Sequence, residues 1–196
     1  MDKVINLGIP HVGENIFGYL GLKDLNECLR VSEPWKEIAE EIVVNRWKDE
    51  FHLPVYFEAT AIVQVLLDHP KCTNINWNKK LDVGIERLPF DKPVWFFEQE
   101  TAFIVACGYG NLKMVKLFLK YSKSKNINLN AKDKHGYTGF DTACMNADFH
   151  FVKALLDASK TYGINLSIKG LVWAITCNPT MAKFILKHPQ VQFIQF

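Results

Sequence analysis

No stretch of about 18 consecutive apolar residues occurs in the chain, so the sequence offers no membrane-spanning helix. The opening residues, MDKVINLGIPHVGENIF, hold no apolar run of signal-peptide length and carry acidic residues early; the expectation is a protein without a secretory leader. In that setting the one N-x-S tripeptide, Asn165-Leu166-Ser167, carries little weight. Cysteine is sparse: Cys28, Cys72, Cys107, Cys144 and Cys177 lie far apart, with no C-x-x-C among them. An odd, scattered set argues for reduced, buried thiols and for a cytoplasmic or nuclear location. A strong excess of either charge is missing too. The net charge is +2, whereas proteins that live on phosphate contacts usually carry a marked basic surplus, so nucleic acid is not the expected partner. There is no G-x-S-x-G, P-loop or G-x-G-x-x-G motif. His11, His52, His69, His135, His150 and His188 are scattered without zinc-ligand spacing. The expectation is a protein that is not an enzyme and holds neither cofactor nor metal.

Repetition is what the chain does have. Hydrophobic residues make up 48% and charged residues 22%, enough apolar material for a continuous core. Three stretches align without gaps: IVQVLLDHPKCTNINWN (62–78), MVKLFLKYSKSKNINLN (114–130) and FVKALLDASKTYGINLS (151–167). In each, an apolar ridge is followed 13 residues later by Asn: Val63 to Asn76, Val115 to Asn128, Val152 to Asn165. A shorter fourth copy is MAKFILKHP (181–189). Upstream of the ridges runs a second series: TAFIVACGYGN (101–111), TGFDTACMNAD (138–148) and a worn KGLVWAITCNP (169–179). Small residues recur in it at Ala106, Ala143 and Ala174, where close helix crossings are expected. A short helix, a turn at Gly110-Asn111 or Ala147-Asp148, and a longer ridge helix make one unit. Between units, Asp133-x-x-Gly136 reads as a tight turn whose glycine takes positive φ.

These residues resemble the ankyrin repeat. The family pattern is matched by Asp133, Gly136, Thr138, Phe140, Ala143, Val152, Leu155 and Leu156, and in the preceding unit by Thr101, Ala106, Gly110, Asn111, Val115, Phe118 and Leu119. The unit at 62–78 keeps only its second helix, and Ala102 and Gly139 stand where the family usually has Pro. Val115 to Val152 is 37 residues, against a usual period of about 33, and the extra residues in YSKSKNINL and ASKTYGINL are expected in a loop. The alternative is an unrelated array of helical hairpins.

Residues 7–47 differ in character and resemble an F-box. The positions that carry the likeness are Ile9-Pro10, Ile16-Phe17, Tyr19-Leu20, Asp24-Leu25, Val31-Ser32, Trp35 and Trp47. Ile9 replaces the family's Leu, the Pro10 to Ile16 gap is one residue short, and Pro34 precedes Trp35, placing a helix start near Ser32. Helices this short are marginal alone, and the segment has more apolar side chains than one covered face holds. By resemblance the partner is the Skp-type linker subunit of a cullin–RING ubiquitin ligase, contacted by Ile9, Pro10, Ile16, Phe17, Leu20, Leu25, Val31 and Trp35. A helical cap for the repeats is the other reading, and both hold if Trp35 and Trp47 face the repeats.

The expected fold is therefore all-α: an F-box-like three-helix segment over 1–50, then a degenerate ankyrin-type stack over 51–196 of three to four units. An irregular insert at 79–100 breaks the phase; its Pro89, Pro93 and aromatics read either as a seal on the first repeat or as partner anchors. Cys107 and Cys144 share one repeat position and read as core. Lys113, Lys116, Lys120 and Lys123 form a basic stripe that reads as a solvated face. Candidate substrate contacts are Tyr109, Asp133, Lys134, His135, Tyr137 and Phe149, with Trp95 and Phe96 of the insert. The function expected is a substrate adaptor of a cullin–RING ligase, endogenous or borrowed by an effector. A plain ankyrin binding module with a helical cap is the alternative.

Overall fold

The computed structural model describes residues 20–82, 98–189 and 191, apart from 32, 147 and 167. Among the described residues the chain is all-α, with ten helices, one 3-10 turn and one two-stranded ribbon. It divides into two compact units, the first ending at Asn76 and the second starting at Trp77.

The first unit contains α1 (Leu22–Val31), α2 (Glu33–Trp47), α3 (His52–Tyr56) and α4 (Thr60–Asp68), with a 3-10 turn at Pro70–Cys72. Pro34 falls in the first turn of α2, where its missing N–H leaves no bond unmade. The expected N-cap, Ser32, lies outside the described residues. Helices α1, α2 and α4 pack on one another around Leu25, Ala39, Val43, Ile62 and Leu66, all buried. No side chain of its own caps α4; Asn26 of α1 does so instead, its Oδ1 accepting from the backbone N–H of Ala61 at 3.0 Å and of Ile62 at 3.4 Å. Arg46 ties the entry of α1 to the end of α2, its Nη1 donating to the Leu20 carbonyl at 2.6 Å. The reading that 62–78 keeps only its second helix is corrected. A five-residue α3 precedes α4 and buries Pro54, Val55 and Tyr56; it is too short to show as a periodicity.

In the second unit, β1 (Leu81–Asp82) pairs antiparallel with β2 (Glu98–Glu100), bracketing the insert. Three helical hairpins follow: α5 (Ala102–Gly108) with α6 (Leu112–Tyr121), α7 (Gly139–Asn146) with α8 (Phe149–Tyr162), and α9 (Ile168–Cys177) with α10 (Pro179–Lys187). Each second helix opens on a side-chain cap, Asn111, Asp148 or Asn178. Gly110, at φ +67°, makes the first of these turns. The first helices stack, α5 on α7 on α9, and the expected small residues Ala106, Ala143 and Ala174 are fully buried. The tightest crossings fall elsewhere, at Gly139 and Gly170. A Cβ on Gly139 would lie 2.9 Å from the Cys107 Sγ, and one on Gly170 would lie 3.0 Å from the Asp141 Cα.

Two asparagines clamp successive repeats. Asn78 donates to the Asn126 carbonyl and accepts from the Asn128 N–H, both at 2.7 Å. Asn130 does the same one repeat later, to the Gly163 carbonyl and from the Asn165 N–H, again at 2.7 Å. The ridge helices close alike. A left-handed residue, Asn126 or Gly163, precedes an isoleucine whose N–H bonds back to Ser122 or Ser159. The expected loop at ASKTYGINL is corrected, because α8 continues to Tyr162. The buried Ser159 extends its inner face, and Gly163, at φ +68°, ends it.

Candidate protein-binding surface

The turn between the first two hairpins is organised by Asp133. Its Oδ1 accepts from the N–H groups of His135 and Tyr137, both at 2.8 Å, while its own N–H donates to the Tyr137 carbonyl at 2.9 Å. Gly136 sits at φ +78°, a conformation that a Cβ makes costly. With Oδ1 bound into the turn, Asp133 shapes the tip that other residues present. Lys134 and His135 are exposed at that tip, and Tyr137 is half-buried beside them. Lys169, from the start of α9, completes the cluster. Its Nζ donates to the His135 carbonyl at 3.1 Å and lies 5.2 Å from the centre of the Tyr137 ring, a cation–π contact.

Beneath the turn, Thr138 and Asp141 join α7 to the next repeat. Asp141 is fully buried; its Oδ2 accepts from the Thr138 N–H and hydroxyl at 2.8 and 2.9 Å, and its Oδ1 from the Gly170 N–H at 2.6 Å. Glu100 is buried nearby. Burial first, and the charge of Asp133 second, push its carboxyl up to about 9, so it stays protonated at neutral pH. Cys107 and Cys144 are buried, and burial raises both thiols, that of Cys144 to about 12. Thiols so held are not nucleophiles.

The structure separates the expected substrate contacts into two groups. Lys134, His135 and Tyr137 come together at the tip, at the start of α7. Tyr109 and Phe149 stand at the other end of the first helices, some 12 Å away along the eight-residue α7. The Phe149 ring meets Phe184 of α10 edge-on at 5.5 Å, so it is engaged in helix packing. Trp95 and Phe96 lie outside the described residues. Sequence reasoning missed Lys169, whose signal was its place in the worn third copy, aligned with Thr138.

Of the expected linker contacts, Ile9, Pro10, Ile16 and Phe17 lie outside the described residues, as do the side chains of Val31 and Trp35. Leu20 is half-buried. Leu25 is corrected: it is fully buried in the α1–α2–α4 core and offers no surface to a partner. The four lysines of the basic stripe on and after α6 are exposed. Among the described residues no helix is long and apolar enough to cross a membrane, and no group of His, Cys, Asp and Glu is placed to hold a metal.

A comparison with protein families matches residues 51–170 to ankyrin repeats (3 copies). No curated protein and no solved structure matches the chain.

Proposed function

This chain belongs to the ankyrin-repeat family, and on that premise we propose that it is a non-enzymatic adaptor that holds a target protein on its repeats and brings it to a Skp–cullin–F-box ubiquitin ligase. The repeats are a protein–protein interaction module. The tip of Lys134, His135, Tyr137 and Lys169 offers cations and an aromatic face to the target, a combination that suits an acidic or aromatic segment. The adaptor does no chemistry of its own. It raises the effective concentration of target lysines near the ligase's charged ubiquitin enzyme.

One observation carries the ligase half of this reading: the ordered series Ile9-Pro10, Ile16-Phe17, Tyr19-Leu20, Asp24-Leu25, Val31-Ser32, Trp35 and Trp47, lying ahead of the matched repeats. The half-buried Leu20, Leu22 and Leu29 support it, since they leave apolar surface on and beside α1 for a foreign helix. The test is co-purification of the full chain with a recombinant Skp-type linker subunit. Phe17→Ala with Leu20→Asp is expected to abolish it while far-UV circular dichroism stays unchanged. Failure of the unaltered, folded chain to bind the linker sinks the ligase reading.

A second reading, an ankyrin module whose N-terminal helices are a cap, draws on a different observation. Asn26 caps α4, and Leu25 is spent on the α1–α2–α4 core. Under it, the same double variant loses its fold rather than a partner.

A further inference from the structure

Among the described residues, the α9–α10 hairpin carries an apolar face that the two hairpins before it do not show. Among the described residues the exposed large hydrophobic side chains are Val172, Trp173, Ile175 and Leu186, each between 42% and 52% exposed, and all lie on α9 and α10. Aligning the first helices on Ala106, Ala143 and Ala174 matches Ile175 with Cys107 and Cys144, and aligning the second helices on their caps Asn111, Asp148 and Asn178 matches Leu186 with Leu119 and Leu156. All four of those upstream equivalents are buried. So are Asp141 and Thr142, which match Val172 and Trp173.

Of the upstream positions, Cys107, Asp141 and Cys144 are covered by the next first helix, which enters on a glycine. Gly139 of α7 lies against Phe103 and Cys107, and Gly170 of α9 lies against Asp141 and Cys144. The α9–α10 face therefore has the shape of a surface awaiting one more helix. Where Asp141 receives the Gly170 N–H, the last copy has Val172, so the missing contact is apolar rather than hydrogen-bonded.

Charge selects among occupants. Helices α9 and α10 carry Lys169, Lys183 and Lys187 and no Asp or Glu. Lys169 is held over Tyr137, while Lys183 and Lys187 are exposed beside Leu186. The nearby Asp157 of α8 is bound to Lys153 and His188. A second copy meeting this face across a two-fold axis would bring like charges together. We propose that the open α9–α10 face docks an amphipathic helix of a partner protein, with a small residue at the crossing, an apolar stripe over Val172, Ile175 and Leu186, and acidic flanks toward Lys183 and Lys187. The site is distinct from the Lys134–His135 tip and stands whether or not the ligase reading holds.

The test uses the full chain and two dye-labelled synthetic helical peptides with the same alanine-and-leucine face, one flanked by Glu and one by Lys. Fluorescence anisotropy is expected to show the acidic peptide binding at least about tenfold tighter than the basic one, with the advantage shrinking as salt is raised. Ile175→Ser with Leu186→Ser removes two half-exposed side chains. It is expected to weaken the acidic peptide by about tenfold or more at unchanged melting temperature. Lys183→Glu with Lys187→Glu is expected to reverse the peptide preference, a readout that does not depend on the apolar variant folding. The proposal is overturned if neither peptide binds, if both bind alike, or if sedimentation shows a dimer that Ile175→Ser with Leu186→Ser dissolves.

Discussion

Glu100 is the most perturbed carboxyl in the described chain, raised from 4.5 to about 9 by its burial and then by Asp133. Among the described residues its Oε2 has no hydrogen-bond partner. The folded state holds a proton there that the unfolded chain has released, so stability falls as pH rises from about 4.5 toward about 9. Glu100→Gln keeps the site neutral at every pH. It is expected to raise the urea midpoint clearly at about pH 8 and hardly at about pH 5. A gain equal at both values would show that the wild-type carboxyl is not buried. Cys107 and Cys144 allow a second check. Iodoacetamide is expected to leave both unmodified in the native protein and to label them in denaturant, read by mass spectrometry. The two thiols were legible as core because they repeat at one register beside Ala106 and Ala143. Glu100 was not, because it stands at the edge of the aperiodic insert, where no pattern marks a side chain as inward.

The helices are joined by interactions that cross from one repeat to the next, and these are where substitutions are expected to cost most. Asn130→Ala strands the Gly163 carbonyl and the Asn165 N–H together and is expected to lower stability by about 2 kcal/mol, measured by chemical denaturation. Little change would mean that water takes over both partners. Gly170→Ala pushes a methyl toward the Asp141 backbone, which cannot swing aside, and is expected to cost about 1–3 kcal/mol. The fixed Ile-Asn offset was visible along the chain, yet the clamp is the residue two positions later, Asn78 and Asn130. The partner of each lies on a neighbouring turn 48 and 33 residues away, and no local pattern names it. The length of α8 is hidden in the sequence for a related reason. ASKTY is neutral in pattern and becomes helix because its inner face is covered.

Under the proposed adaptor function, the two ends of the chain are expected to fail independently. Lys134→Glu with His135→Ala should lose a captured target yet keep the linker subunit, and Phe17→Ala with Leu20→Asp should do the reverse. Both are read by co-purification, and joint loss from either variant would count against separate sites. The helical hairpins and the turns at Gly110-Asn111 and Gly136 followed directly from the order of residues. Apolar spacing, capping side chains and positive φ act within a few positions along the chain. Tertiary packing settled the rest. It buried Leu25 among α1, α2 and α4 and brought Lys169 to the tip. It also left Ile175 bare where Cys107 and Cys144 are covered. Equivalent positions in a repeat array carry the same kind of side chain, and whether water reaches them depends on a neighbour that the local spelling does not contain.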